Sequence, residues 1–558
     1  MFAHSSKRRA SKAIEIATSS PRLQPQYRHK SVMLERLDTT SKTLEAALND
    51  YLRTCQMIHG LYVDKHLINT IPHDLATNLA EHLPRIQSLR EKLQLTENIV
   101  RHSINTSSSL VPIHAFPLEI LIRIFKLVQG DNCIGHCPDR PPKSSALMGT
   151  CSYWRQVMIN SATLWTHIDL SIQFGDSMSS RIRHAEVYAE RAAQMPLHIH
   201  IIERIKGFTN EHSTASASLV SFIASIAPRV QSLTLELRVP RAYQRVLQAL
   251  FKNCTPGILT TLVANVRKDQ TFYSDTKTTS KTQMKTLLMG IPKERLEEVY
   301  SGMKILRLCH LYPRWSSSAY QGLVELRLQG VLPQEFTESQ LVGALRQSPG
   351  LRILECATRP ASALNKDVQI EPIPLVDLEV VNLGYNTSLA IEEIVRWLAP
   401  GSKPLQLLIM DAGSVGPSLE AFCARSNVTQ VCSLEYNLGN ALHLANYLPC
   451  LQSIVLAFWT MASRKSPEQY EDGVLDKTAS ALETIHIFDH RITELKALQD
   501  AISLQSLRRV IFYRCSIWDT EEFLSGLSTL NPRVSFQVIP DNEPDPVGAW
   551  EVFPPRFL

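Results

Sequence analysis

"LVELRL" at Leu323–Leu328, "LRILEC" at Leu351–Cys356 and "LEVVNL" at Leu378–Leu383 share one spacing: an apolar residue, then others three and five positions later. A strand turns successive side chains to opposite faces. The +3 and +5 residues therefore point inward together, and +2, +4 and +6 point the other way. The same spacing starts at Val230, Met303, Leu405, Val431, Leu451, Leu482 and Leu507. From Leu323 the starting points are 28, 27, 27, 26, 20, 31 and 25 residues apart. Self-similarity at such a period is the mark of a repeat architecture. Helical patterns fall between the strands: "SLAIEEIVRWLA" at 388–399, "SLEAFCARS" at 418–426, "ELKALQDAI" at 494–502 and "DTEEFLSGLSTL" at 519–530.

This period is similar to that of leucine-rich repeats. The resemblance implies an α/β strand–helix solenoid, a horseshoe with a parallel sheet, over residues 171–540. The array is irregular. Polar stretches at 265–300 and 462–478 read as insertions, and the 20-then-31 spacing marks Leu451 as a place where the register is open to error. Residues 541–558 form a Pro-rich tail.

The bulk numbers fit such a chain. With 558 residues it exceeds what one core usually holds, and 44% hydrophobic content is ordinary for a folded protein. Fifty-eight Lys+Arg against 53 Asp+Glu leave a net charge of +5, which argues against a nucleic-acid binder. Eleven scattered cysteines read as reduced thiols, and no apolar run reaches membrane-spanning length; both favour the cytoplasm and/or nucleus. Residues 1–30 are basic and polar and read as a disordered tail. Apolar residues spaced three, four and seven apart predict helices over 31–110, a helical hairpin or coiled-coil segment, with Pro84 expected to kink or restart the second.

"FPLEILIRIFKLV" at Phe116–Val128 is apolar over more than one helix face, so it must be covered on several sides. A turn-rich loop at 129–145 follows, then a helical stretch through Leu147, Cys151, Trp154 and Val157, then Leu164 and Trp165. Three short helical pieces carry more apolar surface than so small a unit can hide. The order Phe-Pro-x-Glu-Ile-Leu-x-x-Ile-Phe at 116–125, Cys-x-x-Trp-Arg at 151–155 and Leu-Trp at 164–165 resembles an F-box over 111–170. The longer loop, the preceding helices and the later "MPLHIHI" resemble the expanded F-box families of mushroom-forming fungi. The resemblance implies docking onto the Skp-type adaptor of a cullin–RING ubiquitin ligase. The implied adaptor-binding residues are Pro117, Leu118, Ile120, Leu121, Ile124, Phe125, Leu147, Cys151, Trp154, Val157, Leu164 and Trp165.

On the repeat array the outward positions include Arg307, Arg327, Glu355, Asn382, Glu435, His486, Phe488, Arg509 and Tyr513, which are the candidates for holding a target. Toward the C-terminus they turn apolar at Val455, Phe488, Ile511 and Tyr513, which predicts an exposed apolar row. Phosphate-loop, serine-hydrolase and zinc-protease motifs are absent. Cys133, His136 and Cys137 do not complete a tetrahedral site, and "HIH" at 198–200 shows no third ligand. No cofactor and no catalytic residue are expected. The reading is a non-catalytic substrate receptor that tethers a protein target to a ligase whose chemistry lies on partner subunits. The alternative is a leucine-rich-repeat scaffold whose F-box has drifted and recruits no ligase.

Overall fold

The computed structural model describes residues 24–62, 72–105, 107, 109–130, 143–172, 178–203, 216–237, 240–266, 290–330, 337–357, 371–384, 386–410, 415–434, 438–457, 481–488, 502–515 and 520–540. The chain divides into two compact units, Met1–Val111 and Pro112–Leu558. Among the described residues no helix is long and apolar enough to cross a membrane.

The first unit consists of α1 (Gln24–Tyr62) and α2 (His73–Asn105). Helix α1 begins inside the stretch read as a disordered tail, with Pro25 in its first turn, where a missing N–H breaks no helical bond. Helix α2 runs through Pro84 without a break. The apolar stripe that predicted these helices is uncovered. Leu34, Leu37, Leu44, Leu48 and Leu52 on α1 are 48–66% exposed, and Leu83, Ile86, Leu89, Leu93 and Ile99 on α2 are 41–63% exposed. A side-chain contact joins the helices, Tyr51 Oη to His82 Nδ1 at 2.9 Å.

The second unit is mixed α/β. Three helices open it: α3 (Leu118–Gln129), α4 (Lys143–Thr150) and α5 (Ser152–Asn160). The predicted single helix through Leu147 and Trp154 is two helices. Cys151 separates them, extended at φ −158°, and its sulfur accepts from Trp154 N at 3.4 Å as a cap. Leu164 lies in one 3-10 turn, Ala162–Leu164.

A parallel sheet follows. Its strands are β1 (His167–Ile172), β2 (Leu197–Glu203), β3 (Val230–Leu237), β4 (Thr261–Val266), β5 (Ile305–Cys309), β6 (Glu325–Gln329) and β7 (Ile353–Cys356). A short β8 (Ile373–Leu375) pairs with β10 (Leu398–Pro400) in a separate two-stranded sheet. The main sheet continues through β9 (Val380–Leu383), β11 (Leu405–Ile409), β12 (Val428–Ser433), β13 (Ser453–Ala457), β14 (Thr484–Phe488), β15 (Arg509–Tyr513) and β16 (Ser535–Ile539). Among the described residues the main sheet has fourteen strands, arranged strictly in chain order. The helices between strands are α6 (Met178–Arg191), α7 (Ala217–Ile226), α8 (Gln244–Asn253), α9 (Lys293–Tyr300), α10 (Glu338–Arg346), α11 (Ser388–Val395), α12 (Pro417–Arg425), α13 (Leu438–Ala445) and α14 (Thr520–Leu530).

One apolar core runs from Phe125 to Val534 and takes the predicted inward triads at Val230, Met303, Leu323, Leu351, Leu378, Leu451, Leu482 and Leu507. Two triads are corrected. On β11 the core takes Leu405, Leu407 and Ile409, and Leu408 faces away; on β12 it takes Val428 and Val431, and Leu434 faces away. On β12 the inward series begins three residues earlier, at Val428, and its pairing with β11 shifts register between Leu405 and Gln406; Leu408 and Leu434 misled the pattern because the opposite face is apolar there too. The strand at Leu451 is correctly registered. Just before the stretch read as an insertion, Leu259, Leu262 and Ala264 form a further inward triad; β4 ends in the first residues of that stretch and α9 lies at its far end.

Neighbouring helices are tied end to end. Glu392 on α11 accepts from the backbone N–H groups of Ser418 and Leu419 at 2.8 and 3.1 Å, filling orphan donors at the start of α12. Arg425 of α12 returns to the carbonyls of Leu398 and Val395 at 2.8 and 2.9 Å. Arg229 makes the same return to Ala189 at the end of α6, and Arg295 to Lys252 at the end of α8.

Candidate functional site

Two surfaces carry the predicted residues: α3 with its neighbours, and the sheet face opposite the helices.

On α3, Leu121 and Phe125 are fully buried, so they cannot meet an adaptor. Leu147, Val157, Leu164 and Trp165 are likewise 1–6% exposed and belong to the protein's own core. Helix α3 meets α4, α5 and the Ala162–Leu164 turn, so the box-like pieces cover one another, and Leu147, Val157, Leu164 and Trp165 join the core that continues into the sheet. Trp165 shows how. Its indole N–H donates to the Met158 carbonyl at 2.7 Å, Tyr188 of α6 meets its ring edge-on at 4.8 Å, and the Arg191 guanidinium lies 4.4 Å from its centre. Ser144 of α4 reaches the Tyr188 hydroxyl at 2.6 Å.

What stays outside is the other flank of α3. Phe116 and Leu118 are both 48% exposed, Ile120 is 44%, Leu127 74% and Val128 45%, with Pro117 exposed beside them and Ile124 half-buried. Ile120, Ile124 and Leu127 are four and three apart, so they stand in one stripe. Cys151 and Trp154 are half-buried; the Trp154 ring packs on Phe125 at 4.9 Å. Phe116, Leu127 and Val128 were missed as surface candidates, although one helical wheel places Leu127 with Ile120 and Ile124. The loop residues 131–142, with Cys133, His136 and Cys137, lie outside the described residues.

On the sheet, register aligns one residue per strand into a single rung: Asp169, His200, Thr234, Val263, Arg307, Arg327, Glu355, Asn382, Leu408, Cys432, Val455, His486, Ile511 and Gln537. The predicted +4 candidates from Arg307 to Asn382, and His486, fall on this rung. Arg307 and Arg327 are direct register partners, a repulsive pair if left alone. Glu325 resolves it. Its carboxylate takes Arg307 Nε at 2.6 Å and also accepts from Arg327, whose other arm reaches Glu355 at 3.4 Å. Gln329 donates to Glu355 at 2.6 Å. Burial, the largest influence on Glu355, holds its carboxyl above the usual range despite these donors. Burial also pushes the neighbouring Cys309 thiol up to about 11. Asn382 accepts from Gly384 N at 3.0 Å, and Asn386 donates to the Cys356 carbonyl.

Glu355 and Asn382 are 1% and 3% exposed, so they brace the sheet instead of facing a ligand. The C-terminal row is a second correction. Val455, Phe488, Ile511 and Tyr513 are 3–8% exposed and form a buried cluster with Leu408, Cys432, Leu434 and Ile539. Arg509 is exposed, and Arg307 and His486 are half-exposed. Glu435 lies outside the described residues, as do Asp411 and Asn437. All nine described cysteines are free thiols.

The "HIH" reading is corrected as well. The register pairs His167 with His198 and Asp169 with His200, which places further ligand-type side chains beside that strand. The signal was present as "HID" at 167–169, but no spacing rule links it to 198–200 before the strand pairing is known.

No protein-family model matches this chain, and none of the curated proteins is measurably similar to it.

Proposed function

We propose that this chain is a non-catalytic substrate receptor of a Skp–cullin–F-box ubiquitin ligase. The observation that supports it best is the flank of α3. A twelve-residue helix packed by Leu121 and Phe125 leaves Leu118, Ile120, Leu127 and Val128 at 44–74% exposure, preceded by exposed Phe116 and Pro117. Such a patch gains free energy when a partner covers it, at roughly 25 cal/mol per Å² of apolar area. The F-box-like order of residues suggests which partner. The strictly sequential parallel strands support the companion reading of a strand–helix solenoid, whose outward face would hold the target at Arg307, His486 and Arg509. Tethering raises the local concentration of target lysines, so the chain needs no catalytic group. This reading places it in the cytoplasm and/or nucleus.

A second reading has its own support. Six of the twelve box positions, Leu121, Phe125, Leu147, Val157, Leu164 and Trp165, are consumed by the protein's own core. A repeat scaffold with a drifted box would look like this too. The test is capture of the full chain by purified Skp-type adaptor. Ile120→Asp and Leu127→Asp should each abolish capture while leaving the circular dichroism spectrum unchanged. Leu121→Asp is a poor control, because a charge at that buried position unfolds the region. Absence of capture by folded wild-type chain would leave the scaffold reading in its place.

A further inference from the structure

Strands β1 and β2 carry a cluster that the receptor reading does not use. His167 Nε2 lies 3.0 Å from Asp169 Oδ1, and His200 Nδ1 lies 3.3 Å from the same oxygen. The three ligand atoms lie within 4.8 Å of one another. On the far side of its ring, His200 Nε2 is 3.2 Å from Glu236 Oε1 of β3.

We propose that His167, Asp169 and His200 bind one divalent transition-metal ion of the zinc class. Three lines of geometry carry this. The first is spacing: a tetrahedral ion with bonds of about 2.0–2.1 Å sets its ligand atoms roughly 3.3 Å apart, close to two of the three edges found here. The second is the demand for positive charge. A neutral imidazole has one N–H, yet His200 stands between two carboxylates, Asp169 on Nδ1 and Glu236 on Nε2, with its side chain 2% exposed. With Nε2–H serving Glu236, the Nδ1 edge facing the Asp169 oxygen needs either a second ring proton or a cation, and an ion there meets the demand with the ring neutral. The third is the outer partner. A carboxylate on the remote ring nitrogen fixes tautomer and ring orientation in metal sites, and Glu236 holds that position.

The access fits. Asp169 and His167 side chains are 31% and 39% exposed, so an ion can enter from solvent and keep water at its fourth position. Imidazole nitrogen with one carboxylate oxygen suits zinc over magnesium or calcium, which prefer all-oxygen sets. The bound ion would staple β1 to β2 immediately after the box-like helices. This proposal is independent of the ligase reading.

The experiment is Co²⁺ and Zn²⁺ titration of the chelator-stripped full chain, followed by cobalt absorption and by calorimetry. We expect one ion per chain, with the cobalt spectrum of a nitrogen–oxygen tetrahedral site and no thiolate charge-transfer band. Asp169→Asn and His167→Gln change exposed ligands and should keep the fold, checked by circular dichroism. Each should weaken binding by more than about 100-fold, and Glu236→Gln by about 10–100-fold. Binding unchanged in the Asp169→Asn chain, a thiolate band that disappears with Cys133→Ser and Cys137→Ser, or no uptake by folded wild-type chain would each overturn the site.

Discussion

Between β5 and β9 the rung across the sheet carries Arg307, Arg327, Glu355 and Asn382; between β11 and β15 it carries Leu408, Cys432, Val455, His486 and Ile511. Strands pair in parallel in both halves, with one register shift at Leu405/Gln406 in the second, and on the helix side both rest on the same core. The outward side chains are stabilised by opposite physics. In the first half, two arginines that would repel are held by Glu325 and Glu355, so each residue depends on its neighbour's charge. In the second half, Phe488 packs edge-on against Tyr513 at 5.2 Å beside Val455 and Ile511, and each side chain contributes through removal from water. Buried polar networks fail as units, whereas apolar clusters lose stability in proportion to what is removed.

The largest effect should come from the apolar half. Phe488→Ala removes a ring that is 3% exposed at the centre of that cluster. The expected loss is about 3–5 kcal/mol, read by urea unfolding. A loss below about 1 kcal/mol would mean that the cluster is loosely covered and that the row is a surface after all. Next comes the polar half. Glu325→Ala strips the partner from Arg307 and from Arg327, and breaking such a pair should cost about 3 kcal/mol, at the lower end of the usual range because Arg307 is partly solvated. The sharper test is the quadruple change Arg307→Met, Glu325→Leu, Arg327→Met, Glu355→Gln, which makes the first half uncharged like the second and leaves no carboxylate without its arginine. It should be neutral or stabilising, because apolar and neutral replacements avoid the desolvation of four charges. A large loss from the quadruple variant would show that the charges do more than offset one another.

The sequence made some of this legible. The triads at Met303, Leu323, Leu351 and Leu378 stood out because Leu, Val or Cys at +3 and +5 contrasts with Arg, Glu or Asn at +4. The rule failed at two of the places where that contrast vanished. On β11 and β12, Leu408, Cys432 and Leu434 are apolar on the outward side, so alternation no longer told the two faces apart. At β4 the triad of Leu259, Leu262 and Ala264 was hidden because Ala264 is small and a polar stretch follows. In the box-like region the sequence marks the apolar residues but not which of them the fold buries. Leu121 and Phe125 look like docking residues until α4, α5 and the Ala162–Leu164 turn come to lie against their helix, an arrangement that helical periodicity alone does not carry. The ion pairs of Glu325 and the cluster around His200 depend on register between strands tens of residues apart, which no local pattern carries. The uncovered stripes of α1 and α2 are the converse: periodicity predicted the helices, and it is silent on what covers them.

The smallest expected effect is a slope, and it separates the two halves by pH. Burial raises the Glu355 carboxyl above its ordinary value of 4.5 in the folded chain. The folded state therefore holds a proton that the unfolded state has already released. Stability linked to this group should fall as pH rises from the ordinary carboxylate range through the raised folded value, and then level off. The apolar half has no carboxylate among its clustered residues and should contribute no such slope. Glu355→Gln keeps an acceptor for Gln329 and cannot ionise, so urea midpoints measured across mildly acidic to neutral pH should lose that part of the decline. An unchanged slope in the Glu355→Gln variant would assign the titration elsewhere, and it would mean that Arg327 and Gln329 compensate the buried charge fully.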